Sequence, residues 1–304
     1  MSKYIDEYIT KLSRTKCNIS HDDYVANDNF TNEEFCNRLD KIKKWQYILS
    51  LLKNKPLIKQ RTPEWYNLRK SRLTASDIYD ACAMNKSLIK KKALNITFDI
   101  SNVPAIEWGV LFESVALKIY SLSRSKVKIH EFGLIPDPNI ECFGASPDGI
   151  TDLGIMVEIK CPYSRKIIDG VIPPKYYAQM MGQLAACSLE ECDYAEFNFK
   201  QLSQDEYLSI DNKDHPYNGM IVVYEDKVLY SKLFTTPAVT YKKLFDIDAK
   251  KIIYWRLEEM CVQKVYFNED DWKTNYVPKI YDFWEAVLNY TPPPELTYEF
   301  IDDA

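Results

Sequence analysis

The segment from 144 to 162, GASPDGITDLGIMVEIKCP, constrains the fold of this chain more than any other stretch. Its second half, IMVEIKCP, is a short apolar run that carries two charged residues, Glu158 and Lys160. A run of this length, bounded by the turn residues of DGITDLG, predicts a β-strand in a hairpin. Because strand side chains alternate, Glu158 and Lys160 share one face, and the apolar neighbours Val157 and Ile159 occupy the other. The chain is therefore expected to place a carboxylate and an ammonium group in one small space.

Helical and strand-like segments flank this hairpin and set the fold class. Apolar positions recur at helical spacing from Trp108 to Ile119, and Pro104 suits the first turn of that helix. In chain order we expect a helix over 104–122, strands within 126–135, 139–146 and 155–162, a helix over 174–188, strands within 194–201, 219–226 and 227–234, and a closing helix over 271–290. This order predicts an α/β fold.

Residues 1–56 are predicted to form a helical extension, with residues 57–304 as the main domain. Two runs of apolar residues at helical spacing, the second containing Trp45, are separated by a polar loop. Thr31 followed by Glu34 predicts a capping box that begins the second helix. We expect this extension to pack on the main domain.

Cysteine and histidine usage argues against a disulfide scaffold and against zinc. Eight cysteines are spread along the chain without a CxxC pair, and none of the three histidines has zinc-type spacing. The cysteines are expected to be reduced thiols. No stretch approaches the roughly 20 apolar residues that span a bilayer, and the first residues lack the apolar core of a secretory signal. These features predict an intracellular protein without membrane association.

The net charge of −5 argues against a protein that coats nucleic acid without specificity, because such proteins usually carry a basic surplus. A local basic groove is still compatible with that total. The run KSLIKKK over 86–92 is one candidate for such a surface, although a solvated helix face is its more ordinary interpretation.

Asp148, in the turn-like sequence SPDG, completes a P-D…E-x-K pattern with Glu158 and Lys160. Two carboxylates and a main-chain carbonyl form the hard oxygen environment that Mg²⁺ or Mn²⁺ prefers. Such a metal can neutralise a scissile phosphate and activate water, while Lys160 can orient that water or stabilise the transition state. A structural alternative remains open, since an E-x-K on a strand edge is commonly a surface ion pair.

The position of Asp148 raises a difficulty for this interpretation. With a tight turn at 151–154, simple hairpin counting places Asp148 opposite Val157, on the other face from Glu158. A β-bulge near Pro147–Gly149 is therefore predicted, and proline and glycine are compatible with one.

Over roughly 61–200 the chain resembles the lambda-exonuclease or YqaJ-type viral recombinase family of PD-(D/E)XK nucleases. Trp65, Arg69 and the run Leu73 to Ser76 resemble the W-x3-R…[IL]-T-A-S signature of that family. The resemblance implies that Arg69 and Ser76 hold the 5′-phosphate of a DNA end. A serine at a helix start beside a guanidinium suits an anion, whereas a simple helix N-cap at Ser76 or Thr74 is the structural alternative.

Three further segments carry the same resemblance. Glu113, in EWGVLFE, matches a helix whose glutamate contributes to the metal site, and the family assignment adds the carbonyl of Ile159. The segment Tyr177-Ala178-Gln179, with Gln183 one turn later, resembles the Y-x-x-Q helix, in which glutamine supports the catalytic lysine or the attacking water. Gln179 is the first choice for that role and Gln183 the second. Cys161-Pro162 follows the catalytic strand as in the family, and we interpret Cys161 as a packing residue.

The resemblance implies a restriction-endonuclease-like core, with a central mixed sheet flanked by helices, and a specific activity. It implies a Mg²⁺-dependent exonuclease, with Mn²⁺ as a substitute, that digests double-stranded DNA ends from 5′ to 3′. The resulting 3′ overhangs would serve viral DNA recombination or repair. Implied partners are a single-strand annealing protein and, by analogy alone, further copies in a trimer. A viral source would place the protein in the cytoplasm or nucleus of an infected cell.

Two other functions are compatible with parts of the sequence. A structure- or site-specific DNA endonuclease could use the same core without a pocket at Arg69 and Ser76. A non-catalytic DNA-binding subunit of a replication complex could retain only the fold. The intact set of Asp148, Glu158 and Lys160 argues against that second alternative.

Overall fold

The structure, a computed structural model, describes residues 2–12, 31–56, 58–97 and 103–293. The helices in these ranges are α1 (Ser2–Leu12), α2 (Asn32–Lys53), α3 (Pro63–Lys70), α4 (Ile78–Cys82), α5 (Lys86–Ala93), α6 (Pro104–Ser123), α7 (Pro174–Cys187), α8 (Gln204–Leu208), α9 (Pro237–Leu244) and α10 (Val277–Leu288). A 3₁₀ turn, Ala75–Asp77, precedes α4, and a short helical turn, Glu269–Asp271, followed by a π-helical segment, Trp272–Tyr276, leads into α10.

The strands are β1 (Leu73–Thr74), β2 (Ile129–His130), β3 (Ile135–Pro136), β4 (Phe143–Ala145), β5 (Gly149–Thr151), β6 (Met156–Lys160), β7 (Glu191–Leu202), β8 (Asn218–Val223), β9 (Val228–Tyr230) and β10 (Lys251–Tyr266). In the described ranges, seven of them form a central sheet in the order β2-β5-β6-β7-β10-β8-β9. A smaller sheet has the order β1-β4-β3.

The central sheet is mixed. β6 and β7 run parallel, and the chain crosses between them through α7, as a parallel pair requires. The other neighbouring pairs are antiparallel. Both α6 and α7 contact the middle of the sheet. The predicted α/β fold with a central mixed sheet flanked by helices is confirmed.

A glycine lets α7 approach the smaller sheet closely. A Cβ atom on Gly182 would lie 2.8 Å from the ring of Phe143 in β4 and 3.3 Å from the Cβ of Ala75 in the 3₁₀ turn. Such a contact requires the neighbours to shift, so a larger residue would push the helix outward. Gly182 therefore keeps the side chains of α7 within reach of β6.

The largest difference from the sequence prediction is β10, for which no strand was expected. This 16-residue strand lies between β7 and β8. Its first half contains a continuous buried run, Ile253–Trp255, while Glu258, Glu259 and Met260 in the middle are exposed. The register against β7 also shifts between Leu257 and Glu259. Neither half shows the alternation of buried and exposed residues that predicts a strand, so the sequence pattern did not indicate β10.

Several predicted boundaries are confirmed and others are corrected. The helices expected over 104–122 and 174–188 are α6 and α7 within one residue. The strand-like run 126–135 contains only the two-residue strands β2 and β3, separated by irregular backbone. The closing helix is shorter than predicted, since the π-helical segment replaces its first turn.

The first two helices pack on the same hydrophobic core as the sheet. Tyr8 of α1 and Trp45 of α2 are buried members of that core. Thr31 and Glu34 form the predicted capping box, with the Thr31 N–H donating to Glu34 at 2.8 Å and the Glu34 N–H donating back at 3.2 Å. The domain boundary at residue 56 stays a prediction. The loop expected between the helices, over 18–34, lies outside the described residues as far as residue 30, and Asn32–Glu34 already belong to α2.

None of the helices in the described ranges is both long enough and apolar enough to cross a membrane. Every cysteine in those ranges is free, Cys17 lying outside them.

Candidate active site

The β5–β6 hairpin places Asp148 beside Glu158 without a bulge. Gly149 pairs with Val157 and Ile150 with Met156, so one further step in the same register sets Asp148 opposite Glu158. The turn is one residue longer than the tight turn assumed from the sequence, and Thr151 closes it by accepting from the Ile155 N–H at 3.1 Å. The bulge predicted near Pro147–Gly149 is therefore wrong, and the two carboxylates share a face.

The Glu158 carboxylate is fully buried and bonded to three side chains. Its Oε1 accepts from Gln179 at 2.7 Å and from the Lys160 ammonium group, and its Oε2 accepts from Gln183 at 2.7 Å. Because Gln179 and Gln183 are one turn apart on α7, both reach the same carboxylate. The structure thus brings both glutamine candidates to Glu158.

Asp148 and Lys160 complete this group. The Asp148 carboxylate accepts from the Ile159 N–H at 2.8 Å. Burial, together with the negative charges of Glu158 and Glu113, raises the pKa of Asp148 well above its ordinary value. Burial alone would lower the pKa of Lys160, but the charges of Glu158 and Asp148 raise it above its ordinary value. Lys160 therefore stays a cation at neutral pH.

Glu113 reaches the same pocket from α6 but contacts an arginine. The Arg61 guanidinium lies 2.6 Å from the Glu113 carboxylate, and these side chains are 44% and 27% exposed. Burial raises the pKa of Glu113, the charge of Arg61 opposes that shift, and the charge of Glu158 adds to it. Sequence reasoning assigned Arg61 no role in the site.

Backbone contacts hold Arg61 in front of the pocket. Its φ angle is 65°, a left-handed conformation that is uncommon for a residue with a side chain. The preceding Gln60 donates to the carbonyls of Phe132 and Pro147 at 2.8 and 3.0 Å. The segment that carries Arg61 is thereby tied to the residue next to Asp148.

One open pocket contains four of the predicted site residues, Glu113, Asp148, Ile159 and Lys160. Its remaining walls come from the first half of α6, the segment that follows β6, and Tyr176 of α7. Glu158 and Gln179 are not among its lining residues; Glu158 accepts from Lys160, and Gln179 donates to Glu158.

Arg69 and Ser76 meet in a second group, as the sequence predicted. Arg69 donates to the hydroxyl oxygens of Thr74 and Ser76, both at 3.2 Å. Its guanidinium also lies 4.3 Å from the centre of the Trp65 ring. The side chain of Thr74 does not cap the 3₁₀ turn that follows it. The simple N-cap interpretation of Thr74 is therefore wrong.

Sequence reasoning missed two charged members of this second group. Asp77 accepts from the Thr74 hydroxyl at 3.1 Å and pairs with Lys92 at 3.2 Å. Lys92 is buried and also donates to the carbonyls of Arg69 and Arg72. Burial lowers the pKa of Arg69, although the charge of Asp77 opposes the shift. The burial of Lys92 could not be predicted from the sequence, because Lys92 belongs to the basic run 86–92, whose other lysines are more exposed.

A model of the YqaJ-like viral recombinase domain family matches residues 64–190, the range that holds both groups of side chains. This part of the chain is similar to the YqaJ-like viral recombinase domain. The family resemblance predicted from the sequence is thereby confirmed for residues 64–190, while the PD-(D/E)XK assignment of the core stays a prediction.

A protein from a virus is also similar to this chain, at low sequence identity. The uncharacterized protein R354 of Acanthamoeba polyphaga mimivirus is 24% identical, and the match covers 80% of this chain and 55% of that protein. The chain thus spans about half the length of this curated relative.

Two solved structures are also similar. An alkaline exonuclease from Laribacter hongkongensis matches 74% of this chain and 92% of its own, with 20% identity and a TM-score of 0.49. A phage-related exonuclease from Haemophilus somnus 129PT matches 73% of this chain and 94% of its own, with 12% identity and a TM-score of 0.37.

The oxygen groups of the YqaJ-like domain suit a hard divalent cation in their chemistry. The pKa of Asp148 and that of Glu113 are raised first by burial and then by neighbouring carboxylates, and a cation would relieve that repulsion. Within the described ranges, however, no three His, Cys, Asp or Glu side chains are grouped closely enough to hold a metal. Arg61 contacts Glu113, while Lys160 and the two glutamines contact Glu158.

Cys161 follows Lys160 in the YqaJ-like region, and its surroundings disfavour the thiolate form that a nucleophile requires. Burial and the nearby charges of Glu113 and Asp148 raise the pKa of its thiol above the ordinary value. A protonated thiol is a poor nucleophile and a poor metal ligand. This supports the interpretation of Cys161 as a packing residue.

Proposed function

We propose that this chain is a Mg²⁺-dependent exonuclease that digests one strand of double-stranded DNA from its 5′ end and leaves a 3′ overhang. One observation carries the proposal. Asp148, Glu158 and Lys160 converge on one face of a YqaJ-like region, and the same region holds an arginine bonded to two hydroxyl groups. A lone surface ion pair would not require the buried Glu158 or its two glutamines.

Glu113, Asp148, Glu158 and the Ile159 carbonyl are the groups that would hold the metal. Bound there, Mg²⁺ or Mn²⁺ would neutralise charge on the scissile phosphate and lower the pKa of a water molecule. To bind the metal, Glu113 would give up its contact with Arg61. Glu158 would give up at least one of its hydrogen bonds from Lys160, Gln179 and Gln183.

Lys160 and Gln179 act on the reacting groups in this proposal. The raised pKa of Lys160 keeps its ammonium charged, and the side chain is 22% exposed to the pocket. It can therefore stabilise the negative charge that develops on the phosphate as the P–O bond breaks. Gln179 holds the Glu158 carboxylate from behind and, when Glu158 turns to a cation, is free to orient the attacking water.

Arg69 and Ser76 would hold the terminal 5′-phosphate. A terminal phosphate carries nearly one more negative charge than an internal phosphodiester, and a guanidinium beside hydroxyl groups can bind it through charge-assisted hydrogen bonds. The Trp65 ring keeps the Arg69 guanidinium in place without neutralising it. The pocket would thus select ends rather than internal sites.

The biological setting is part of the same proposal. Overhangs of single-stranded DNA are substrates for an annealing protein in recombination or repair, so such a protein is the expected partner. A homo-oligomer such as a trimer is proposed by family analogy alone. The relative from a mimivirus favours a viral source and hence a place in an infected host cell.

The test uses end-labelled linear duplexes and closed circular duplexes, each incubated with the purified chain in Mg²⁺ or in EDTA. We expect release of nucleotides from the 5′ ends of linear DNA in Mg²⁺ only. Cleavage of circles at a similar rate would favour the endonuclease alternative. Binding of ends without any cleavage, by folded protein in Mg²⁺ or Mn²⁺, would favour the non-catalytic subunit.

A further inference from the structure

Tyr176 in the first turn of α7 lies against the candidate catalytic lysine. The centre of its ring is 4.8 Å from the Lys160 Nζ atom, and the side chain is half-buried in the wall of the active-site pocket. This distance is within the range in which the negative face of an aromatic ring attracts an ammonium group. None of the roles derived above for the metal, the water or the 5′-phosphate uses Tyr176.

The Tyr176 ring is itself fixed by its surroundings. The guanidinium of Arg165 lies 5.9 Å from the same ring centre, and Arg165 forms an ion pair with the fully buried Glu196 on β7. Glu196 is the residue paired with Lys160 across the parallel strands β6 and β7. The Tyr194 ring is 6.1 Å from that of Tyr176. Arg165, which pairs with Glu196 of β7, and Tyr194 of β7 therefore both lie near the Tyr176 ring.

We propose that Tyr176 is a positioning residue for Lys160, an inference that rests on the proposed nuclease function. A lysine has four rotatable bonds and loses much side-chain entropy when it is held in one orientation. The ring face attracts the ammonium group without accepting any of its N–H bonds and without cancelling its charge. The Lys160 donors thus stay free for a phosphate oxygen or the attacking water when Glu158 turns to a metal ion.

Two substitutions separate the ring from the hydroxyl group. Tyr176→Leu removes the π face, and we expect kcat to fall on the order of tenfold while KM for DNA stays within about twofold. Tyr176→Phe keeps the face and should restore kcat to near the wild-type value. Tyr281→Leu is the control, because Tyr281 is an exposed tyrosine on α10 and is not among the residues that line the active-site pocket. We expect Tyr281→Leu to leave kcat unchanged.

A spectroscopic measurement tests the contact apart from activity. Protein labelled with ¹³C at the lysine ε-carbons is compared before and after each substitution, and Lys160→Arg identifies the Lys160 signal by its loss. We expect an upfield ring-current shift of the Lys160 ε-protons in the wild type and in Tyr176→Phe, and its disappearance in Tyr176→Leu.

Each outcome bears on one proposal. A Lys160 signal without a ring-current shift in the folded wild type would overturn the positioning role, as would equal kcat values for Tyr176→Leu and the wild type. A loss of kcat in Tyr176→Phe equal to that in Tyr176→Leu would also overturn it. Absence of DNA cleavage by the wild type counts against the exonuclease proposal, whereas the NMR comparison decides the Tyr176 contact by itself.

Discussion

The donors around Glu158 determine what this residue can do. A buried carboxylate is costly unless hydrogen bonds compensate it, and here two amides and an ammonium group do so. Lys160 and Gln179 share one oxygen, whereas Gln183 alone serves the other. The two oxygens of the carboxylate therefore differ. Oε1 is bonded to Lys160 and Gln179, which a metal ion could replace, whereas Oε2 is bonded to the buried Gln183.

Removal of either charged group is expected to abolish cleavage. Glu158→Gln and Lys160→Ala should each lower kcat by at least about a hundredfold, because both groups act on the transition state more than on bound DNA. Single-turnover cleavage and an equilibrium DNA-binding assay measure the two effects separately. A folded Glu158→Gln protein with near-normal turnover would contradict the active-site assignment.

The two glutamines should differ in their effect on stability. Gln183→Met leaves the inner oxygen of Glu158 without its donor and should cost about 1–3 kcal/mol in free energy of unfolding. Gln179→Met should cost less, because Lys160 still donates to the outer oxygen and Gln179 is half-exposed. Urea denaturation of both variants measures the two losses in free energy of unfolding. Equal losses would mean that the Gln183–Glu158 hydrogen bond stabilises the fold no more than the Gln179–Glu158 hydrogen bond does.

Much of the candidate site could be predicted from residue types and spacing. The strand period put Glu158 and Lys160 together, and the i, i+4 spacing put both glutamines on one helix face. What the sequence could not supply was the length of the hairpin turn, and hence the face of Asp148. The contacts of Arg61, Lys92 and Tyr176 also escaped prediction, because they depend on tertiary approach between distant segments.

At the scale of elements, periodic segments were predictable and irregular ones were not. The helices α6 and α7 have long apolar faces and prolines at their starts, so their bounds follow from pattern alone. β10 combines a buried run, an exposed charged middle and a register shift, and its tertiary pairing with β7 and β8 overrides that weak local pattern. Its place in the sheet therefore could not be read from the sequence.

Arg38 ties the first two helices to the sheet and offers a test at this scale. It pairs with Asp6 of α1 at 2.8 Å and with Glu191 of β7 at 2.6 Å, and all three residues are buried. Arg38→Ala would leave two buried carboxylates that still pair with Lys264. The expected loss is about 3–5 kcal/mol in free energy of unfolding. Lys43→Ala, which removes an exposed pair on the same helix, should change the unfolding midpoint little.

The Arg38→Ala deficit should also depend on pH. In the wild type, burial raises the pKa of Asp6, although the charge of Arg38 opposes that shift. Burial also acts to raise the pKa of Glu191, but Arg38 and Lys264 outweigh it and lower that pKa. Without Arg38 both values rise, so the folded state binds protons more readily than the unfolded state and gains stability as pH falls. The deficit measured at pH 5 should thus be smaller than at pH 8. Equal deficits would contradict the charge-based account.

At the scale of the whole molecule, charge is distributed unevenly. The chain carries a net charge of −5, yet Lys160 and Arg165 line the pocket, with Arg61 contacting its rim residue Glu113. The same pocket contains the carboxylates of Asp148 and Glu113. DNA must therefore approach a site whose acids repel phosphate, and a divalent cation would reverse that repulsion.

The identity of the cation should separate binding from cleavage. Oxygen ligands accept Mg²⁺, Mn²⁺ and Ca²⁺, but Ca²⁺ is larger and tolerates irregular coordination. We expect cleavage with Mg²⁺ or Mn²⁺, and DNA binding with little cleavage in Ca²⁺, measured by fluorescence anisotropy and end-label release. Sustained cleavage in excess EDTA would contradict the metal-dependent mechanism.

The relation between the two groups of side chains decides whether the molecule acts on ends. If the Arg69 group binds a terminal phosphate, duplexes with a 5′-phosphate should be degraded faster than duplexes with a 5′-hydroxyl group. Arg69→Ala should remove most of that difference and spare slow cleavage of hydroxyl ends, because Asp148, Glu158 and Lys160 remain. The ratio of the two rates, compared between wild type and variant, isolates the phosphate contribution from effects on folding. Wild-type protein that cuts closed circles as fast as phosphorylated ends would show that the Arg69 group does not direct cleavage, and an endonuclease would then be the better interpretation of the same core.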